Sequence, residues 1–313
     1  MDPVRAIADA VLYEGYLLWP YRRSATKNQR RWTFGGVYPR AHSERHPDDR
    51  CTIRTECLLE GGEDAQVSVA VRFLHVVARQ VLRDGRPVDE LVADGERHLS
   101  WDEAVERELT LEAPGRTPVA IAAGRQEEQL PGGAIVRSWE ALAGSVEARA
   151  EPLGGGVRRI AVEIANTTPW EGAQREDALR RTFCSTHAVL RASRGRFVSM
   201  TDPPAELRAA AEGCRNEGMW PVLVDEQDRT VLSSAIILED HPRIAPESPG
   251  DLFDGGEIDQ MLVLNILSLT DAEKAEMRDS DPRAREILER TEALTEDELM
   301  RLHGAIREFG MAR

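Results

Sequence analysis

Residues 67–77 read VSVAVRFLHVV. Val67, Val69, Val71, Phe73, His75 and Val77 fall on one side of an extended chain, with Ser68, Ala70 and Arg72 on the other. A period of two sustained over this length is a strand signal, because a helix would scatter the same residues around its whole surface. The alternation recurs at Cys51, Ile53, Thr55 and Cys57, which places both cysteines on one face, and at Ile160, Val162 and Ile164 before the stop Thr167-Thr168-Pro169. Shorter strand-like pieces cover 106–112, 119–123 and 135–150, with glycine-rich turns (PGG, LGGG) between segments. Several short strands at this spacing predict an antiparallel β-sandwich-like domain over 51–170.

On either side the pattern is different. Residues 3–18 carry Val4, Ile7, Val11, Leu12 and Leu18 near helical spacing after Asp2-Pro3, and a basic aromatic arm follows, giving an N-terminal region of 1–50. From Arg175 the residues Leu179, Phe183, His187 and Leu190 read as one helical stripe, and Asp202-Pro203 reads as the start of a helix closed by Gly213. Residues 220–224 and 230–238 are apolar runs around the polar loop 225–229, a hairpin signal. Three prolines within 242–249 forbid helix or central strand there. The tail has capping boxes at Thr270–Glu273 and Thr295–Glu298 and a cap at Asp281-Pro282. Residues 171–313 therefore form a mixed region with acidic C-terminal helices. The fold class is α+β, an antiparallel sandwich followed by a hairpin and helices.

Charge and cysteine usage narrow the function. The net charge is −15 over 313 residues, but residues 20–54 carry a net +6 while residues 239–313 carry a net −10. So acidic a chain is a poor nucleic-acid ligand, since phosphate neutralisation dominates that binding. The most apolar early piece, 11–21, contains Glu14 and ends at Pro20, too short for a membrane span, and no export signal precedes it. Four scattered cysteines, Cys51, Cys57, Cys184 and Cys214, then read as reduced thiols in a cytoplasmic protein. No glycine-rich phosphate loop joins a strand to a helix.

Long strings carry a family resemblance: ADAVLYEGYLLWPYRRSATKNQRRWTFGGVYP, TECLLEG, IANTTPWEG, EGCRNEGMWPVL, LSSAIILEDHPRIAPESPGDLFDGGEID and DPRAREILERTEAL. Over nearly its whole length the chain resembles an uncharacterised bacterial family encoded beside nickel–iron uptake hydrogenases of the actinobacterial type. The resemblance implies an accessory, assembly or maturation role, with hydrogenase subunits or other maturation proteins as partners, and it brings no catalytic residues with it. A Walker loop and a paired CxxC zinc site, features of better-known maturation proteins, do not occur.

Three constellations offer chemistry. Glu239-Asp240-His241, followed by Glu247, Asp251, Asp254, Glu257 and Asp259, has the donors for a divalent metal but neither a zinc spacing nor an EF-hand pattern, and an acidic solvated loop explains it as well. Cys214 beside Arg215 is a candidate nucleophile with His241 or His187 as base, against the commoner reading of a buried thiol. Cys184 and His187, three apart on the expected helix, offer nickel, iron or zinc ligands together with Cys214, against a plain core stripe. No cofactor is expected. His42 and His46 are expected to be solvated. For protein binding the candidates are Arg30, Arg31 and Trp32 in the basic arm and Glu247, Asp251 and Asp254 in the acidic loop. The reading leans away from an enzyme; its alternatives are an enzyme of the same pathway using Cys214 and His241, or a structural subunit of the hydrogenase complex.

Overall fold

The structure, a computed structural model, describes residues 3–13, 34–62, 64–242, 263–280 and 282–295. Arg30, Arg31, Trp32, Glu247, Asp251, Asp254, Glu257, Asp259, the segment 243–249 and the second half of the Thr295–Glu298 box lie outside them. The chain divides into two compact units, one of Met1–Tyr16 with Arg31–Pro242, the other of Leu17–Arg30 with Arg243–Arg313.

The first unit holds helices α1 (Pro3–Tyr13) and α2 (Arg40–Ser43), then strands β1 (Thr52–Glu60), β2 (Val67–Arg83), β3 (Arg86–Val88), β4 (Glu90–Ala93), β5 (Glu96–Leu99) and β6 (Trp101–Ala113). Strands β7 (Gly115–Ile121), β8 (Gly124–Leu130), β9 (Gly133–Trp139), β10 (Leu142–Gly154) and β11 (Val157–Asn166) follow. After α3 (Arg175–Leu179) come β12 (Cys184–Ala192), β13 (Arg196–Phe197), α4 (Arg208–Glu212), β14 (Trp220–Leu223) and β15 (Thr230–Ser234). Sheet I has the order β13-β1-β11-β10-β7; sheet II has the order β14-β15-β12-β2-β9-β8, with β3 and β6 also pairing β2; β4 and β5 form a separate hairpin. The strand pairs are antiparallel.

The expected face of β2 supplies the core. Val67, Val69, Val71 and Phe73 meet Ile53, Cys57 and Leu59 of β1, Val146 of β10, Ile160, Val162 and Ile164 of β11, and Ala188 and Leu190 of β12. Each large aliphatic or aromatic side chain buried there stabilises the sandwich by about 1.5–3 kcal/mol. Phe73 and Phe183 stack at its centre, ring centroids 4.7 Å apart.

Three sequence expectations are corrected. The stripe through Leu179, Phe183, His187 and Leu190 is not one helix: only Arg175–Leu179 is helical, and Cys184–Ala192 is a strand between β2 and β15. The helix expected from Asp202-Pro203 is confined to Arg208–Glu212. The boundary placed near residue 170 falls inside the first unit, because β12, β14 and β15 complete sheet II. The hairpin forms as read, Trp220 to Leu223 facing Ser234 to Val231.

In the second unit α5 (Asp271–Ser280) and α6 (Pro282–Glu292) pack through Met277, Ala284 and Leu288 with Ile266. The Thr270 capping box closes both ways, Thr270 N donating to Glu273 Oε2 at 2.9 Å and Glu273 N to Thr270 Oγ1 at 3.3 Å. Among the described residues of the chain no helix is long and apolar enough to cross a membrane.

Candidate functional site

Two of the strings that carry the resemblance meet on the outer face of sheet I. Glu56 of β1, from TECLLEG, is 2% exposed. Its carboxylate accepts from the Arg54 guanidinium and, at 2.7 Å, from the backbone N–H of Arg215 in the GCRNEG loop. Arg159 lies 3.8 Å away. Asn216 locks the same junction: its Oδ1 accepts from Glu56 N (2.8 Å) and Thr55 Oγ1 (3.0 Å), while its Nδ2 donates to Glu56 O (3.3 Å). Arg54 and Glu217 exchange backbone bonds beside it, both 2.8 Å. The turn needs Gly218, at φ +75°, where a Cβ would come within 2.7 Å of Ile53 Cγ2.

Cys214 belongs to this junction. Its Sγ lies 3.6 Å from Ala210 O and packs near Leu58 and Val198. Burial pushes the thiol up, outweighing the pull of Arg159, which is the reverse of what a nucleophile at neutral pH needs. Cys57, facing the core, is pushed up by burial as well. All four cysteines are free.

The Asp240-His241 pair is placed elsewhere. Asp240 Oδ1 accepts from Leu223 N (2.8 Å), and its Oδ2 accepts from Ser199 Oγ (2.5 Å) and Thr201 Oγ1 (2.9 Å). Both oxygens are thus engaged in fastening the end of the hairpin to the turn after β13. His241 is half exposed, at φ +57°, its backbone N–H donating to Leu223 O and its ring 3.5 Å from Asp228.

Cys184 and His187 share a face for a reason different from the one read in the sequence. Cys184 pairs with Leu74 and His187 with Arg72, so a bulge inserts Ser185 and Thr186 opposite Phe73 and restores to one face two residues that strand alternation would separate. Cys184 Sγ points at the carbonyls of Leu179 (3.9 Å) and Thr182 (3.7 Å). Ser185 sits at φ +51° in this bulge, and Gly35 (φ +56°) closes over Thr186, whose backbone leaves only 3.1 Å for a Cβ. Among the described residues no three His, Cys, Asp or Glu side chains are grouped as a metal would require.

His187 lies under α1 in a charged layer that the sequence reading missed. Arg72, 2% exposed, is ringed by Asp9 (2.6 Å), Glu106 (3.0 Å) and Glu108 (3.5 Å), and Arg5 bridges Asp9 (3.2 Å) and Glu108 (3.0 Å) from the helix. Tyr13 donates to Glu106 at 2.6 Å. Burial opposes ionisation of Glu106, but Tyr13 and the arginines hold its carboxyl below the usual range. His187 is fully buried, with Nδ1 3.4 Å from Ser185 O and Nε2 without a partner; burial, then Arg72, lowers it to about 3. On the core side His75 is lowered to about 4 by burial and by Arg107, 3.5 Å away. Both imidazoles are neutral at physiological pH.

The expectation for His42 is also corrected: it is 1% exposed. Tyr38 and His46 stack on its two sides (4.9 and 4.5 Å), Trp170 meets it edge-on (5.3 Å), and its Nε2 lies 2.7 Å from Asp49 Oδ2. Arg45 and Arg175 cap the rings of Trp170 and Tyr38. His46 alone is exposed, as expected. Of the basic aromatic arm, Tyr38 thus packs between His42 and Arg175.

No family model matches the chain, and no curated protein is similar to it at a significant level. The placement of each group has to speak for itself. Glu56, Asn216 and Asp240 fasten loops to strands, Cys214 is held as a thiol, and the imidazoles of His75 and His187 are buried within sheet II.

Proposed function

We propose that the protein is a cytoplasmic accessory or assembly factor of a nickel–iron hydrogenase system and acts by binding hydrogenase subunits or other maturation proteins. The observation that supports this reading is the interlock of TECLLEG with GCRNEG through Glu56 and Asn216. These two strings are spent on fixing a loop against a strand, and burial pushes up both of their thiols, Cys57 and Cys214. The proposed docking residues are Arg30, Arg31 and Trp32 on the basic arm and Glu247, Asp251 and Asp254 on the acidic segment, since fields of opposite sign steer encounter and set orientation.

The test is isolation of the native protein from cells that make the hydrogenase. Co-isolation with metal-free hydrogenase is expected. Co-isolation with mature enzyme alone would make it a structural subunit, and recovery without any hydrogenase component would sink the reading. Replacing Glu247, Asp251 and Asp254 together by Ala should weaken that association and flatten its salt dependence.

A further inference from the structure

The strands that end the two sheets are not protected alike. β13 spans two residues, β14 spans four and includes Pro221, and β7 carries Pro118, devices that keep an edge from recruiting another strand. β6 also pairs on one side only, with β2, but runs beside β7 of sheet I; β8 is neither short nor interrupted by proline, and carries only charged side chains against recruitment. Its seven residues, GRQEEQL, pair with β9 without a register shift, and Arg125, Gln126, Glu127, Glu128 and Gln129 are all exposed. The two-residue turn Pro131-Gly132 makes Leu130 and Gly133 the hydrogen-bonded closing pair. Alternation then turns the backbone N–H and C=O groups of Arg125, Glu127 and Gln129 outward, away from β9.

We propose that β8 is a self-pairing edge, which joins two copies of this chain into a continuous sheet through antiparallel β8–β8 contact. The occupant follows from charge. A two-fold axis normal to the sheet keeps every residue on its own face, so the pairing must be centred on a residue. Centring on Arg125, Glu127 or Glu128 sets a charge against its own copy, which is unfavourable directly across a sheet. Centring on Gln126 instead pairs two amides at the axis and sets Arg125 opposite the partner's Glu127, twice. It also brings together the outward backbone groups of Arg125 and Glu127, which exchange N–H···O bonds. Arg125 and Glu127 already form an ion pair of 2.9 Å along one strand. The dimer closes two such pairs into a ring of alternating charge. One strand pair buries less than the roughly 1,200 Å² of a standard interface, so a dissociation constant on the order of 100 µM is expected, weakening with salt.

The inference is independent of the hydrogenase reading, and the purified chain alone tests it. Sedimentation of the full-length protein between 10 µM and 1 mM (about tenfold either side of that constant) should show a monomer–dimer equilibrium. Arg125→Glu and Glu127→Arg should each weaken dimerisation at least about tenfold, because each sets like charges across the axis. An equimolar mixture of the two variants should dimerise again, all cross-strand pairs being opposite in sign. Far-ultraviolet circular dichroism confirms that both variants fold. A wild-type monomer at 1 mM, variants that dimerise like the wild type, or a mixture that stays monomeric would each overturn the proposal, including in favour of an edge that serves another protein's strand.

Discussion

Glu56 on sheet I and Arg72 on sheet II are each 2% exposed, one an anion and the other a cation. Their surroundings follow different rules. Glu56 is met by directed donors, the Arg54 guanidinium and a backbone N–H, inside a junction whose amides are also paired. Arg72 is met by three carboxylates whose side chains are 28–41% exposed, with Arg5 as a second cation. One partner of Glu56 is a backbone N–H fixed in a tight turn, which loses its acceptor if the carboxylate goes, whereas carboxylates that already touch water can be resolvated. The first cluster fixes a loop; the second fastens a helix and leaves titratable groups between.

The largest effect that comparison predicts is for Glu56→Ala. It leaves the Arg215 amide without its acceptor and Arg54 with Glu163 alone, and should cost about 2–3 kcal/mol, read as a lowered urea midpoint at unchanged slope. Next is the pH dependence of sheet II. His187, at about 3 in the folded protein, returns to about 6.5 on unfolding, so the unfolded chain binds the extra proton between these values. Stability should therefore fall as pH drops below 6.5, by about 1.4 kcal/mol per pH unit for this histidine. His75 adds to the fall down to about pH 4. His187→Gln should flatten the slope between pH 6.5 and 4.5, above the carboxylate range; an unchanged slope there would remove His187 from the account. The smallest effect is for Arg72→Met, which should cost about 1 kcal/mol or less, since its carboxylates keep Arg5 and water. A loss as large as that of Glu56→Ala would break the comparison.

The two clusters also show what is legible in a sequence. β2 announces itself because one of its faces is core and the other carries Ser68, Ala70 and Arg72. β12 does not, because it is buried on both faces, by the core on one side and by α1 on the other. A strand without a polar face has no visible period, and four-residue coincidences such as Phe183 with His187 then imitate a helix. The hairpin 220–234 and the Thr270 box were readable because their chemistry is local. Glu56 with Arg215, Arg72 with Asp9, and His42 with Trp170 were not, since their partners are brought together only by the tertiary fold. The binding candidates Arg30 and Asp251 rest on charge pattern alone.

The Cys214 junction is structural: its thiol packs near Leu58 and Val198, and burial pushes it up. Peptide-resolved alkylation of the native protein across pH tests this most directly. Cys214 should react more slowly than a free cysteine at neutral pH, with its rate rising at a midpoint above the free-thiol value of about 8.5, and Glu56→Ala, by opening the junction, should speed it. Rapid modification of native Cys214 at pH 7, with a midpoint below about 7.5, would mean an activated thiolate and would put the enzyme reading ahead of the binding one.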